Sequence, residues 1–127
     1  MKKQVTSPKA PKAIGPYSQA IRAGDFLYVS GQLPINAETG KMPEDVSAQA
    51  RASLGNIGFI LEEAGYSRDD IVKTTVFLAD MGDFEAVNKE YAEFFQGCVF
   101  PARAAVQAAR LPKDARVEIE AVAYRVQ

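Results

Sequence analysis

Arg103 and Glu120 are the two side chains in this chain best suited to chemistry. A guanidinium presents a planar fork of N–H donors that grips a carboxylate through two parallel hydrogen bonds, which lysine cannot copy. A glutamate can hold a water and pass protons. Both lie in the stretch PARAAVQAARLPKDARVEIEAVAYRV, residues 101–126, which reads as two extended segments joined by the polar connection Pro112-Lys113-Asp114-Ala115. Strand periodicity places Arg103, Ala105 and Gln107 together on one face of the first segment. In the second, Val117, Ile119, Ala121 and Ala123 form an apolar face, and Glu118, Glu120, Val122 and Tyr124 form the other. The expectation is that guanidinium and carboxylate share one mildly polar sheet face. Residue types alone leave two readings open: an ion pair between Arg103 and an acid such as Glu120, or a carboxylate clamp beside a water-holding glutamate.

The rest of the inventory narrows the chemistry by what it lacks. The 127 residues include no histidine and one cysteine, Cys98, so neither a zinc site nor a Ser-His or Cys-His nucleophile pair can be built. No GxxxxGK[ST] loop and no GxGxxG occurs, and no cofactor or metal is expected. Fifteen Lys and Arg stand against sixteen Asp and Glu, which gives no general bias toward nucleic acid or anionic membrane. A lone cysteine and the lack of a signal-like or membrane-spanning segment point to a reducing cytoplasm.

Chain length and a 47% apolar content fit one globular domain over residues 1–127. A short strand is expected around Lys3–Thr6, then a hairpin of strands Tyr17–Arg22 and Phe26–Leu33 about the turn Ala23-Gly24-Asp25. The second hairpin strand is apolar enough to be buried on both faces. Gly31 within it marks a bulge or a close backbone approach. Pro43, Glu44 and Asp45 announce a helix carrying Val46, Ala50, Leu54, Ile57 and Leu61 at helical spacing and stopping at Gly65. Ile71–Ala79 is β-branched and reads as a central strand, and Phe84, Val87, Tyr91, Phe94 and Phe95 mark a second helix ending at Gly97. A closing strand pair completes the order β-β-β-α-β-α-β-β. Two helices and about six strands predict an α+β fold with the helices on one face of a mixed sheet. The uncovered face, with Arg103, Gln107, Glu118, Glu120 and Val122 on it and Tyr17 or Ser30 near it, would be covered by other copies of the chain, with ligand pockets between them.

Structural readings stand beside the chemical ones. Tyr17 fits an amphipathic wedge at the hairpin base, Ser30-Gly31 a strand irregularity, Asn88 a polar helix position, and Phe84 with its aromatic neighbours a core stripe. Cys98 reads as filler after the second helix.

Four stretches in order, GPYSQA at 15–20, VSGQLP at 29–34, PAR with ARLPKD within 101–114, and VEIEAVA at 117–123, together with NKEYAEFF at 88–95, resemble the RidA (YjgF, or L-PSP) family over nearly the whole chain. The resemblance implies a chorismate-mutase-like fold assembled as a homotrimer with three pockets between subunits. It also implies hydrolysis of reactive enamines and imines, 2-iminobutanoate and 2-iminopropanoate among them, to 2-keto acids and ammonia. Carried over by position, Arg103 grips the substrate carboxylate and Glu120 holds or activates water. Tyr17, Ser30, Gly31 and Asn88 line the pocket. The family commonly has cysteine two places after that arginine, where this chain has Ala105; a role for the backbone N–H there survives the change. Relatives described as ribonucleases or translation inhibitors supply one alternative, which the acidic balance and the missing histidine disfavour. A non-catalytic module or holdase binding small carboxylates is another, and it predicts binding without turnover.

Overall fold

Apolar residues spaced at three and four, from Val46 through Leu61, give one helix a continuous buried stripe, and two local devices fix its ends. Asp45 caps the start by accepting from the Ala48 N–H at 3.0 Å, and Gly65, at φ 81°, turns the chain out of the last turn. The computed structural model describes all 127 residues. Its strands are β1 (Lys3–Val5), β2 (Ala20–Ala23), β3 (Phe26–Gln32), β4 (Ile71–Leu78), β5 (Ala102–Gln107) and β6 (Val117–Tyr124), and its two long helices are α1 (Val46–Ala64) and α2 (Phe84–Phe94). The order along the chain is the one expected. The six strands form one sheet in the order β1-β2-β3-β6-β4-β5, antiparallel throughout except for the parallel pair β4 and β5.

The closing strands β5 and β6 are not neighbours in that order, because β4 lies between them. Helix α2 is the crossover that returns β5 parallel to β4, at the sheet edge. The Pro112–Asp114 connection is a short helical turn with Lys113 and Asp114 both at φ 56°, not a hairpin loop. The first hairpin strand is also shorter than its pattern predicts: pairing starts at Ala20, and Tyr17 belongs to the loop before it.

One face of the sheet carries the core. Leu27, Val76, Leu78, Val117, Ile119 and Ala123 are buried beneath α1 and α2, within a cluster of 21 buried apolar residues. Leu54, 1% exposed in that cluster, sets the scale: Leu54→Ala should cost about 2–5 kcal/mol of unfolding free energy, read from the shift in urea midpoint at unchanged slope. No helix covers the other face. Phe26, Tyr28 and Tyr124 lie there 40%, 49% and 41% exposed, so β3 is not buried on both sides within one chain.

Buried amides hold the irregular segments to this frame. Gln19 accepts from the Ser7 N–H at 2.7 Å and donates to the Pro11 carbonyl at 2.8 Å, which ties residues 7–19 down against β3. Asn56 on α1 donates to the carbonyls of Leu33 and Ile35, both at 3.0 Å, and fixes the chain leaving β3. Each amide satisfies loop groups that would otherwise be buried without partners.

Candidate functional site

The strand register decides where the two reactive side chains point. Thr74 on β4 pairs with Arg103 on one side and Ala121 on the other, and Val76 pairs with Ala105 and Ile119. Paired residues project to the same side of a sheet, so Arg103, Ala105 and Gln107 stand on the helix side. Glu120 pairs with Thr75 and stands on the open side with Glu118 and Val122. The expectation that guanidinium and carboxylate share a face is therefore wrong for a single chain. Alternation along β5 groups its residues correctly, but only the parallel pairing with β4 says which group faces the helices.

On the helix side, α2 builds a seat for Arg103. Phe84, Asn88 and Tyr91 recur at four and three residues and so line one stripe of the helix. The guanidinium carbon lies 4.8 Å from the Tyr91 ring centre and 5.3 Å from that of Phe84, and one terminal nitrogen donates to Asn88 Oδ1 at 2.6 Å. The Tyr91 hydroxyl is bonded in turn to Thr74 Oγ1 at 2.6 Å, which locks the ring. Burial pushes the Tyr91 hydroxyl above its ordinary pKa, against the Thr74 bond and the Arg103 charge, so it stays a neutral platform. Arg103 joins none of the chain's ion pairs. Its charge is held by two rings and an amide, and the remaining N–H donors are uncommitted. Asn88, Tyr91, Phe100, Pro101 and Arg103 line a depression of about 490 Å³ at this edge. Ala105, half-buried against the core, sits two residues further along β5 and does not line it.

On the open side, Tyr17, Ser30, Gly31 and Glu120 come together in a cleft of about 650 Å³. The register of β3 against β6 slips between Val29 and Gln32, which confirms the bulge read from Gly31. Ser30 uses its hydroxyl to donate to the Ser18 carbonyl at 2.6 Å, and its N–H bonds the Gln19 carbonyl at 2.9 Å, so it secures the loop that carries Tyr17. The close approach at Gly31 is equally real: a Cβ there would lie 2.9 Å from Cδ of Glu118. Glu120 is exposed and makes no ion pair in the chain.

The expected residues thus fall into two groups on opposite sides of the sheet, Asn88 and Arg103 in one, Tyr17, Ser30, Gly31 and Glu120 in the other. Residue-type reasoning missed Tyr91, whose place in the aromatic stripe marked it only as core. It also left Glu118 without a role, although the EIE spacing puts both acids on one side of β6.

Residues 7–125 match the family model described as Endoribonuclease L-PSP. A 2-iminobutanoate/2-iminopropanoate deaminase of Escherichia coli K12 is 51% identical over 127 residues, covering 98% of this chain and 99% of that protein. A RutC family protein of Pyrococcus horikoshii is 53% identical over 126 residues, again with 98% and 99% covered. Among solved structures, the E. coli YjgF gene product superposes with a TM-score of 0.95 at 51% identity, over 97% of this chain and 98% of that one. E. coli TdcF with bound serine gives 0.95 at 46% identity, with the same coverage. The family model spans residues 7–125 and these relatives match nearly end to end, so the chain belongs to the L-PSP family, the RidA or YjgF proteins.

Proposed function

We propose that this chain hydrolyses 2-imino acids such as 2-iminobutanoate and 2-iminopropanoate to 2-keto acids and ammonia, in sites built between neighbouring copies of a homotrimer. The observation that carries this is the seat of Arg103, a guanidinium held by neutral groups with donors to spare. A substrate carboxylate is the partner that fork fits. The full-length deaminase relatives and the amino acid bound by TdcF fall in the same chemical class.

Two half-sites on opposite faces of one sheet cannot act on one small molecule, whereas the open face of one copy laid against the β5 edge of the next joins them. Such a contact also covers Phe26, Tyr28 and Tyr124. A head-to-tail contact of this kind closes into a ring, and three copies is the number that the family resemblance implies. No helix is long and apolar enough to cross a membrane, and a cytoplasmic setting suits a protein acting on short-lived metabolites.

The carboxylate docks on Arg103, which fixes the imine carbon within reach of a water held by Glu120. Water adds to the protonated imine as Glu120 takes its proton, giving a carbinolamine. Proton transfer to nitrogen then releases ammonia and leaves the keto acid. Tyr17 closes the cleft around the small substrate, and the backbone at Gly31, on the same side of the sheet, orients it.

The test is to generate 2-iminobutanoate in situ with a dehydratase and follow 2-ketobutanoate. Faster release with the protein supports the reading, and release at the spontaneous rate overturns it. The shared site has its own test. Unfolding and refolding together a chain carrying Arg103→Lys and one carrying Glu120→Gln should restore about a quarter of the wild-type sites, because random assembly pairs the intact arginine with the intact glutamate at that frequency. No recovery would place both groups in one chain's site. The family's description as an endoribonuclease supplies a second reading. It would be favoured by RNA cleavage that copurifies with the chain and is lost with Arg103.

A further inference from the structure

We infer that Glu118 is a second catalytic carboxyl of this cleft, the acid that protonates the departing nitrogen, while Glu120 acts on the attacking water. The inference rests on the deaminase reading and extends it to a residue that the motif-by-motif comparison leaves without a task.

Position supports it first. Glu118 and Glu120 flank the buried Ile119 on β6, so both leave the strand on the same side, and both line the cleft with Tyr17. Close approach supports it second. The bulge between Val29 and Gln32 brings a residue without a side chain against Glu118, and only that lets the carboxyl fold in over the β3 backbone. Gly31 is not among the residues with positive φ, so the approach of Glu118 is the visible demand for glycine there. The third support is a difference in surroundings. Glu118 is half-buried and Glu120 exposed. Burial first, and the neighbouring Glu120 charge second, hold the Glu118 carboxyl above its ordinary pKa. The other titratable groups lining the cleft are Lys12, Tyr17 and Lys113. Arg116, two residues before Glu118, is already held by Asp83 through contacts at 3.0 and 3.1 Å. Two carboxyls with unlike surroundings divide into a member that keeps its proton and one that takes a proton.

The steps balance with that division. The water lone pair attacks the iminium carbon, the C=N pair moves to nitrogen, and Glu120 takes the water proton. The Glu118 acid protonates the amine of the carbinolamine. The C–N pair leaves with nitrogen as the hydroxyl oxygen forms the carbonyl, and the hydroxyl proton returns to Glu118. Ammonia carries off the proton left on Glu120, so iminium and water become ketone and ammonium with both carboxyls restored.

The test follows kcat for 2-iminobutanoate, corrected for spontaneous decay, across the acid-to-neutral range in the full-length protein. Wild-type kcat should fall as pH rises through the raised pKa of Glu118, because the acid form is lost. Glu118→Gln should lower kcat roughly 10²-fold with KM changed less than about twofold and should abolish that limb, while Glu118→Asp restores part of both. Gly31→Ala is the second arm, used if Glu118→Gln does not fold. Its Cβ expels the carboxyl toward water, which should lower kcat and move the limb to lower pH. Wild-type kcat and limb in Glu118→Gln, or an unmoved limb in Gly31→Ala, overturns the role of Glu118 while leaving the deaminase reading in place. An inactive wild-type protein overturns both.

Discussion

Arg103→Lys should lose on the order of 10²-fold in kcat/KM for 2-iminobutanoate while the protein stays folded and keeps its oligomeric state. The charge survives the change, so long-range attraction of an anionic substrate survives too. What is lost is the planar fork, whose two parallel bonds fix the carboxylate and, through it, the adjacent imine carbon. A lysine ammonium also cannot lie flat between the Tyr91 and Phe84 rings while one nitrogen reaches Asn88, so the positive charge would no longer be aimed. Stability should change little, because Arg103 is exposed and its partners on α2 keep their own packing. Circular dichroism, size-exclusion chromatography and steady-state kinetics on one preparation separate these outcomes. An imine lacking a carboxylate supplies the internal control, since its slow turnover should be the same in both proteins. Near-normal kcat/KM for 2-iminobutanoate in the lysine variant would refute the clamp.

The same residue shows how far the sequence could be read. The 3.6-residue rhythm of α1 and α2, the caps at Asp45 and Gly65, and the β-branched run of β4 are local signals, and local physics sets them correctly. Gly31 was legible as well, because an isolated glycine in a strand has few structural excuses, and the bulge and the close approach of Glu118 are both present. The face occupied by Arg103 was not legible. Which side of a strand meets the core depends on its neighbour, and β5 pairs with β4 across an α2 crossover, not with the β6 that follows it in sequence. Once the register is known, the guanidinium and Glu120 separate to opposite sides of the sheet. The proposed function then requires two copies to build the site together. Tyr91 eluded residue-type reasoning for a related cause: its hydroxyl bond to Thr74 and its ring beneath Arg103 are made by one side chain, and helical spacing reports only that it is buried.

Glu120→Gln should act on a different quantity from Arg103→Lys, and the contrast tests the division of labour. The amide keeps the size of the side chain and can still hydrogen-bond a water, but it cannot take the proton that water must lose on adding to the imine. A loss of roughly 10²–10⁴-fold in kcat with nearly unchanged KM is therefore expected, the range assigned to one positioned acid-base group. Glu120 is exposed and bound to no cation in the chain, so its removal breaks no ion pair and should leave the fold intact. It should also lower the pKa of Glu118, since the Glu120 charge is one of the two causes that raise it. Whatever activity remains should lose its pH limb at a lower pH than in the wild type, because Glu118 then gives up its proton sooner. A variant with wild-type kcat and a raised KM would move Glu120 from handling water to holding substrate. An unshifted limb would mean that the two carboxyls of β6 do not sense each other.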